Sequence, residues 1–432
     1  GFIGKLFSYE NISGELISSA KERISFMHKG FKALLFSLTA ASLFSGTAVA
    51  AGWTVNERGQ QVYQNDNGSV VQNSWIKINQ NGQTIWYYAT GDGSLKQDGW
   101  LKLQDSFYYF DGNGIMQTGW VNDDNYYCDP STGKMITGWK QLPLPSGVTA
   151  DENRKGNNGN YWFYFNQSTG EKLRSKDGHV AVKTLDNASY GFDDNGIMVT
   201  GWAEVNDANP EIAGYVFFAE KNDNKFKMGQ RLSGTWYSTV GPEGNSSKLS
   251  TGDVEWFYFK NNGHPAAGNE GVYEVQRIND KRYLFNEKGN PVYGIQKGRT
   301  ASNAPEGYYY CGANKADCSV KTGRMNLVDG DGDNITCFFD QNGRGITGIK
   351  QDYLYFNGRL QKADQGSRYQ KLTLPGQNRS YVVNESGKVM KNKTKYRDGN
   401  GNKWSVNASG VITLDEGLDS VELQSPKVTD LD

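Results

Sequence analysis

A short aromatic motif recurs along the chain and constrains its fold more than any other feature. Residues 108–120 read YYFDGNGIMQTGW, and the Trp that closes one copy opens the next. The tryptophans at positions 75, 100, 120 and 139 stand 25, 20 and 19 residues apart, a spacing that is typical of repeat proteins. In such proteins each repeat contacts mainly its neighbours. The sequence therefore predicts a stack of small, similar units.

The best-matched copy of this motif predicts a β-hairpin. Residues 107–110 are all aromatic, which favours a strand, and the Asp-Gly-Asn-Gly run at 111–114 is typical of a tight turn. Residues 115–118 are expected to form the returning strand. A lone hairpin is marginally stable in water, so neighbouring hairpins must cover its rings.

Composition supports the same fold class. The chain has 53 glycines among 432 residues, 13% aromatic residues and only 37% hydrophobic residues. Clusters of Gly, Asn and Asp interrupt short aromatic runs at about the spacing of hairpin turns. We therefore expect an all-β fold, an elongated β-hairpin repeat solenoid with loop insertions.

The first 50 residues predict export. Residues 27–50 contain a basic segment, an apolar stretch and a small-residue cleavage site that ends at Ala50, which together are typical of a signal peptide. Residues 1–26 precede it and are expected to be absent from the mature protein. A retained membrane anchor is the alternative, but the apolar stretch is short for a span. We expect no membrane span in the mature chain.

The quality of the repeats divides the mature chain into four segments. Two long loops are expected, one between Trp139 and Tyr161 and one between Trp202 and Trp256, and such loops often carry specificity. The predicted segments are well-matched repeats at 51–140, repeats with long loop insertions at 141–260, degenerate repeats at 261–412 and an acidic tail at 413–432.

The repeat resembles the choline-binding and cell-wall-binding repeat family. The similarity lies in Gly-Trp, then Tyr-Tyr-Phe-Asp, then Gly-x-Met-x-Thr-Gly-Trp; it is specific at residues 75–139 and returns at 190–202. Similar repeats occur in glucan-binding modules of glucosyltransferases and in the receptor-binding tails of large glucosylating toxins. The resemblance implies a hairpin solenoid with ligand sites between successive hairpins.

The resemblance also implies which rings form these sites. Each site would use the Gly-Trp ring, an aromatic residue on the second strand and an aromatic residue of the next repeat. The alternative for every ring is that it only fills the core between hairpins. The implied ligand-binding residues are Trp75, Trp86 and Tyr108 for one site, Trp100, Phe107 and Tyr127 for the next, and Trp120, Trp139 and Trp202 in further copies.

Two classes of ligand fit such rings. A quaternary ammonium is attracted by the negative faces of several rings, whereas a sugar stacks on one or two rings and offers its hydroxyls to flanking polar groups. Phe107, and Asn125 where an aromatic residue is expected, both weaken the case for choline. The expected partners are cell-wall polysaccharide or choline-bearing teichoic acid, with an external glucan as a further candidate.

The same residues give little support for catalysis or nucleic-acid binding. His179 and His264 lie in Gly-rich loops without a nucleophile motif, and no carboxylate pair stands out. The 46 Lys and Arg residues balance 47 Asp and Glu residues without a basic block. We expect a secreted, noncatalytic protein that associates noncovalently with the cell wall. The alternatives are an adhesin or structural spacer that projects its loops to a protein or host-glycan partner, and a wall hydrolase.

Cysteines and one acidic loop are the remaining candidates. Cys311 and Cys318 bracket a short loop that a disulfide could close, while Cys128 and Cys337 occupy Phe positions of their repeats and are expected to be buried. Residues 329–334 resemble a calcium loop, although a hairpin turn explains them equally well. We predict no metal and no cofactor.

Overall fold

A computed structural model describes residues 50–205, 212–242, 252–376, 379–417 and 421–431. The segments expected at 1–26 and 27–50 lie outside these residues, apart from Ala50. The chain divides into two compact units. Among the described residues, one unit comprises residues 50–97 with Gly112–Ile115, and the other comprises Asp98–Asp111 with the described residues from Met116 onward.

The expected all-β class is confirmed. The described residues form β-strands joined by turns, with 3-10 turns at Glu152–Arg154 and Ile212–Gly214. Over the same residues, no helix has the length and apolar character needed to cross a membrane. Most strands belong to small antiparallel sheets that are hairpins of sequence neighbours.

The first unit contains two hairpins. Their strands are β1 (Gly52–Val55) with β2 (Gln61–Gln64), and β3 (Ser74–Gln80) with β4 (Gln83–Ala89).

The second unit continues the pattern through β5 to β31. Its larger sheets have three strands, β5-β6-β7 and β29-β30-β31, or five, in the order β22-β23-β26-β25-β24. The strands are β5 (Gly99–Leu103), β6 (Ser106–Phe110), β7 (Met116–Gln117), β8 (Gly119–Val121), β9 (Tyr126–Cys128), β10 (Gly138–Leu142), β11 (Tyr161–Phe165), β12 (Ala181–Leu185), β13 (Ala188–Phe192), β14 (Gly201–Glu204), β15 (Tyr215–Phe218), β16 (Thr235–Val240), β17 (Val254–Phe259), β18 (Glu274–Ile278), β19 (Lys281–Phe285), β20 (Ile295–Gly298), β21 (Gly307–Tyr310), β22 (Gly323–Val328), β23 (Asn334–Phe339), β24 (Gly348–Lys350), β25 (Tyr353–Phe356), β26 (Arg359–Leu360), β27 (Tyr369–Leu374), β28 (Arg379–Asn384), β29 (Lys393–Arg397), β30 (Lys403–Val406) and β31 (Ile412–Glu416).

The aromatic strand predicted at residues 107–110 is β6, but its main partner differs from the expected one. It pairs along its whole length with the preceding Gly-Trp strand β5, so that Trp100 lies opposite Tyr109. The expected returning strand is present as β7 and is only two residues long. The structural unit is therefore a hairpin that starts at Gly-Trp and ends with the aromatic strand.

The glycine of the Gly-Trp pair marks the corner between hairpins, as the sequence predicts. Gly119 and Gly138 have φ angles of 75° and 73°, which lie in the left-handed region that glycine occupies without strain. This corner turns the chain so that the following Trp can face the rings of its own hairpin.

One of the two expected insertions lies between paired strands, and the other region contains two further strands. Residues 143–160 do connect the paired strands β10 and β11. By contrast, the region between Trp202 and Trp256 contains β15 and β16, and β16 forms a hairpin with β17. The prediction missed this hairpin because Thr235 separates Gly234 from Trp236, so the Gly-Trp signal is absent.

Buried side chains form a succession of small clusters, and each cluster draws on adjacent hairpins. One contains Tyr127, Leu142, Phe163 and Phe165, and another contains Phe217, Phe257 and Phe259. The core thus lies between hairpins, because each hairpin is too thin to bury a ring by itself.

Near its C-terminus the chain packs back on earlier strands. The order of these contacts reverses the order of the sequence, so a later residue meets an earlier hairpin. The contacts are a bridge of Val421 with Leu372, and hydrogen bonds from the backbone N–H groups of Gln424 to Gln361 Oε1 (2.9 Å), Lys427 to Asp329 Oδ2 (3.3 Å) and Thr429 to the Ile295 carbonyl (2.8 Å).

Candidate functional site

In several hairpins, the Trp at the second position of the first strand packs on the aromatic residue directly opposite it. Gly precedes this Trp in all of these hairpins except that of Trp75, which follows Ser74. The antiparallel register creates these pairs, because opposing side chains on one face of a hairpin are close neighbours. Ring centroids lie 5.0–5.3 Å apart, mostly in edge-to-face geometry. The pairs are Trp53–Tyr63, Trp75–Tyr88, Trp100–Tyr109, Trp120–Tyr127, Trp139–Tyr164 and Trp202–Phe217.

The same indole also contacts the second strand of the next hairpin. Tyr87, Tyr126, Phe163 and Phe257 each directly precede the residue that pairs with the Trp of their own hairpin. Because side chains alternate along a strand, the two neighbouring rings lie on opposite faces of it. Centroid distances are 4.8–5.1 Å. These contacts are Trp53–Tyr87, Trp100–Tyr126, Trp120–Phe163, Trp139–Tyr190 and Trp202–Phe257.

Burial differs between the two partners of such a contact. Phe163, Phe257 and Tyr190 are 0%, 2% and 8% exposed, so they belong to the core. The tryptophans at 75, 100, 120, 139 and 202 are half-buried and keep part of the indole in contact with solvent. These indoles are thus partly exposed, whereas Phe163, Tyr190 and Phe257 are buried; Tyr87 and Tyr126 are half-buried like the indoles they contact.

Trp75 and Trp86 of the first predicted site come together in the first unit. Their rings are perpendicular, at 87°, with centroids 6.1 Å apart, and Tyr88 completes the set at 5.3 Å from Trp75. Tyr108 lies in the second unit and is 9% exposed. Tyr88 was not predicted, because its role depends on the hairpin register.

The second predicted site is arranged differently from the expectation. Trp100 contacts Tyr109 and Tyr126, each with a centroid distance of 5.0 Å. Tyr127 packs on Trp120 instead. Phe107 lies opposite Lys102, whose Nζ is 5.6 Å from its ring. The expected ring was therefore one residue out of register, since adjacent residues of β9 point to opposite faces.

Trp139 contacts several aromatic rings in the second unit. Trp162 is perpendicular to it at 90°, with centroids 6.0 Å apart, and Tyr164 and Tyr190 lie at 5.2 and 4.8 Å. This right-angled pair of indoles repeats the one at Trp75. Trp202 has a similar diagonal neighbour in Tyr215, at 6.5 Å. The sequence analysis predicted none of these partner rings. Trp162 and Tyr164 stand two residues apart on β11, as do Tyr215 and Phe217 on β15. This spacing, which places both rings on one face of a strand, is the signal that could have revealed them.

Hydrogen bonds fix two of the indoles. The indole N–H of Trp120 donates to the carbonyl of Pro143 at 3.0 Å, and that of Trp202 donates to the carbonyl of Val240 at 2.8 Å. In each case the acceptor belongs to the next hairpin or its loop. These bonds hold the ring orientations before any ligand arrives.

One ammonium group already lies on these rings. Lys172 Nζ is 4.9 Å from the Trp120 ring centroid and 5.9 Å from that of Phe163. The residue is 6% exposed, and burial lowers the pKa of its amine to about 8. The nearby carboxylates of Asp124 and Asp193 oppose this shift of the pKa.

The acidic loop at residues 329–334 forms a turn. It is the hairpin turn between β22 and β23, where Asp329 Oδ1 accepts the backbone N–H groups of Asp331 and Asp333 at 3.2 and 3.1 Å. Within the described residues, no cluster of three or more His, Cys, Asp or Glu side chains is arranged to hold a metal ion.

All four cysteines are buried and free. The disulfide considered between Cys311 and Cys318 is therefore not formed. Cys128 and Cys337 are each 0% exposed, which confirms that they replace buried Phe residues. Burial also raises the pKa of both thiols to about 12.

Comparison with known proteins agrees with the resemblance seen in the repeats. No family model matches the chain. Glucosyltransferase-S of Streptococcus downei is 26% identical over 225 residues, which are 51% of this chain and 13% of that enzyme. The chain thus spans a small part of the curated relative that it matches.

Similar solved structures include choline-binding proteins of Streptococcus pneumoniae. Choline-binding protein F is 22% identical, with 73% of this chain and 98% of that chain covered and a TM-score of 0.36. CbpJ is 20% identical, with 79% and 100% covered and a TM-score of 0.37. The modular autolysin LytC, solved with a synthetic peptidoglycan ligand, is 18% identical, with 79% and 52% covered and a TM-score of 0.32. The chain is therefore similar, at 18–22% identity, to proteins that include choline-binding protein F.

Proposed function

We propose that this chain is a secreted, noncatalytic surface protein that binds cell-wall glycan or teichoic-acid choline through its aromatic hairpins, stacked as an elongated solenoid. The observation that carries the proposal is the recurring half-buried Trp, held between a ring of its own hairpin and a ring of the next. A core made only for stability would bury these indoles, as it buries Trp404 at 2% exposure.

The right-angled indole pairs are the best candidates for the ligand sites. Trp75 with Trp86, and Trp139 with Trp162, each present two ring faces to one corner. A quaternary ammonium in such a corner gains attraction from both rings, about 1–2 kcal/mol each when the cation is desolvated. A sugar ring can instead stack on one indole face with its hydroxyls in solvent.

Several weak sites would give firm retention on a polymeric wall. Once one site is bound, the next binds at a high effective concentration, so the sites reinforce each other without new contacts. Retention would then be noncovalent and reversible by a small competing ligand. The match to a glucosyltransferase keeps a soluble glucan among the ligands to be tested.

A wall pull-down tests the proposal. The exported chain is mixed with purified cell wall that carries choline-bearing teichoic acid and with the same wall after its removal, then eluted with choline and with soluble glucan in turn. Elution by choline from the first wall identifies teichoic-acid choline, and glucan elution from both identifies a glycan. Failure to bind either wall would contradict the proposal.

A further inference from the structure

The residue that follows each hairpin turn occupies an equivalent position along the repeats. Its backbone N–H donates to a carbonyl of the preceding hairpin: Met135 to Phe107 at 2.8 Å, Lys172 to Asn125 at 2.8 Å and Met198 to Trp162 at 2.9 Å. Each of these residues also bridges to the last aromatic-strand position of its own hairpin. The three residues are therefore structural counterparts.

The side chains at this position lie against a glycine of the next turn. Met135 contacts Gly170, Lys172 contacts Gly196 and Met198 contacts Gly229, where a Cβ atom would collide with each of them. Methionine suits such an enclosed apolar position. Lysine does not, unless its ammonium gains a partner, because a buried charge is costly without one.

The partner of Lys172 is the ring pair of the preceding Trp pocket. Its Nζ lies over Trp120 at 4.9 Å and over Phe163 at 5.9 Å. Within the described residues, no carboxylate lies within the 4.0 Å ion-pair limit of this ammonium, and Asp193 pairs with Arg154 at 2.9 Å. Other lysines over rings, such as Lys77 and Lys102, are exposed at the surface.

The pocket at Trp120 lacks one ring that other Trp pockets have, and this leaves space for the Lys172 ammonium. At the diagonal position of the hairpin, Trp162 stands next to Trp139 and Trp86 stands next to Trp75. The corresponding residue for Trp120 is Asn125, which supplies no ring and whose carbonyl anchors Lys172. A cation of the chain itself thus takes up space beside Trp120.

We propose that Lys172 is a built-in occupant of the Trp120 pocket and excludes external cations from it. At the equivalent position beside Trp139 stands Met198, which carries no charge. Lys172 therefore determines which repeats can bind a quaternary ammonium. The exclusion of ligand rests on the proposed function, whereas the occupancy of the pocket by Lys172 does not.

Counting cation sites tests the exclusion. Equilibrium dialysis with radiolabelled tetramethylammonium is performed on the exported chain, on K172M, which installs the residue found at positions 135 and 198, and on R231M. Arg231 is the matched control: it bridges to Phe218 and lies against Gly263 in the same way, but the preceding first strand, β12, carries no Trp. We expect one more site in K172M and no change in R231M.

The outcomes separate the two ideas. If the unmodified chain binds no tetramethylammonium and K172M binds one, the exclusion by Lys172 stands, whereas the choline branch of the proposed function and cation binding at Trp139 both fail. If K172M gains no site, or R231M gains one as well, the inference is overturned.

Acetylation of lysines in the unmodified chain provides a second measurement that does not need K172M to fold. Peptide mass spectrometry should show Lys172 reacting more slowly than exposed Lys77 and Lys102, because the rings of Trp120 and Phe163 enclose its amine and the residue is 6% exposed. W120L should raise its rate. Equal rates for all three lysines would contradict occupancy.

Discussion

The indole of Trp139 stands at 90° to the indole of Trp162, with their centroids 6.0 Å apart. Trp139 opens the hairpin and Trp162 lies on its second strand, two residues before the position directly opposite Trp139. The right angle therefore follows from strand pairing and needs no ligand to form it. It supplies two differently oriented ring faces at one corner.

Removing one of the two indoles at this corner should weaken retention of the protein on the cell wall only in part. For Trp139→Ala we expect the affinity for purified wall to fall about three- to tenfold, since one site among several is lost and a cation–π contact is worth about 1 kcal/mol. Sedimentation with increasing amounts of wall measures it. Trp404→Phe, in the buried core, should leave retention unchanged. Complete loss of binding in Trp139→Ala would contradict multivalency.

The corner glycine should resist substitution. Gly138 has a φ of 73°, and a side chain in this region costs about 1–2 kcal/mol. We expect Gly138→Ala to lower the free energy of unfolding by that amount in urea denaturation. Gly52 also precedes a Trp, but its φ lies outside the left-handed range and a Cβ atom added there would lie 3.8 Å from the nearest atom. Gly52→Ala is therefore the control, and an equal loss in both would refute the explanation.

Stability should depend on the protonation of Lys172. Burial lowers the pKa of its amine from 10.5 to about 8, so between these values the unfolded chain binds more protons than the folded chain. The free energy of unfolding should then rise with pH over this interval, relative to K172M, by up to about 3 kcal/mol. Asp124, Asp193 and Arg174 face the amine and contribute to its pKa.

Denaturation of both proteins at several pH values measures this difference. Tyrosines and cysteines that titrate in the same range are common to both proteins, so their contribution cancels. A stability difference that stays flat between pH 8 and pH 10.5 would show that the amine keeps its ordinary pKa.

Asp329 should act as an anchor for two parts of the chain. Its carboxylate is fully buried, accepts the N–H groups of Asp331, Asp333 and Lys427, and lies 3.7 Å from Arg359. Asp329→Ala leaves these groups unpaired, and we expect a loss of about 2–4 kcal/mol. Hydrogen exchange should accelerate at all three amides. Asp331→Ala, whose carboxylate is exposed, should change little, and a similar effect in both variants would exclude the anchor role.

The fold class and the repeating unit could be predicted because they depend on local chemistry. The Gly-Trp corners and aromatic strands are encoded within about twenty residues, which is the scale that periodicity reports. The site geometry depends on register, and a shift of one residue changes the face of a strand. This is why Tyr127 was expected beside Trp100, where Tyr126 lies.

Contacts between residues far apart in sequence could not be predicted from the repeat pattern. Lys172 and Trp120 are brought together by the stacking of hairpins, and the motif itself contains Met at the position of Lys172. The sequence pattern did not reveal the hairpin of Trp236, because Thr235 separates Gly234 from Trp236 and interrupts the Gly-Trp pair that marks the start of a hairpin. Both departures from the consensus become informative only when the hairpins are placed side by side.

The reversed path of residues 421–431 has a consequence for cooperativity. Repeat arrays stabilised only by adjacent contacts can fray one repeat at a time. Here one short stretch joins strands around Leu372, Gln361, Asp329 and Ile295. Losing any of these strands disrupts contacts shared by the others, so this region should melt as a single block.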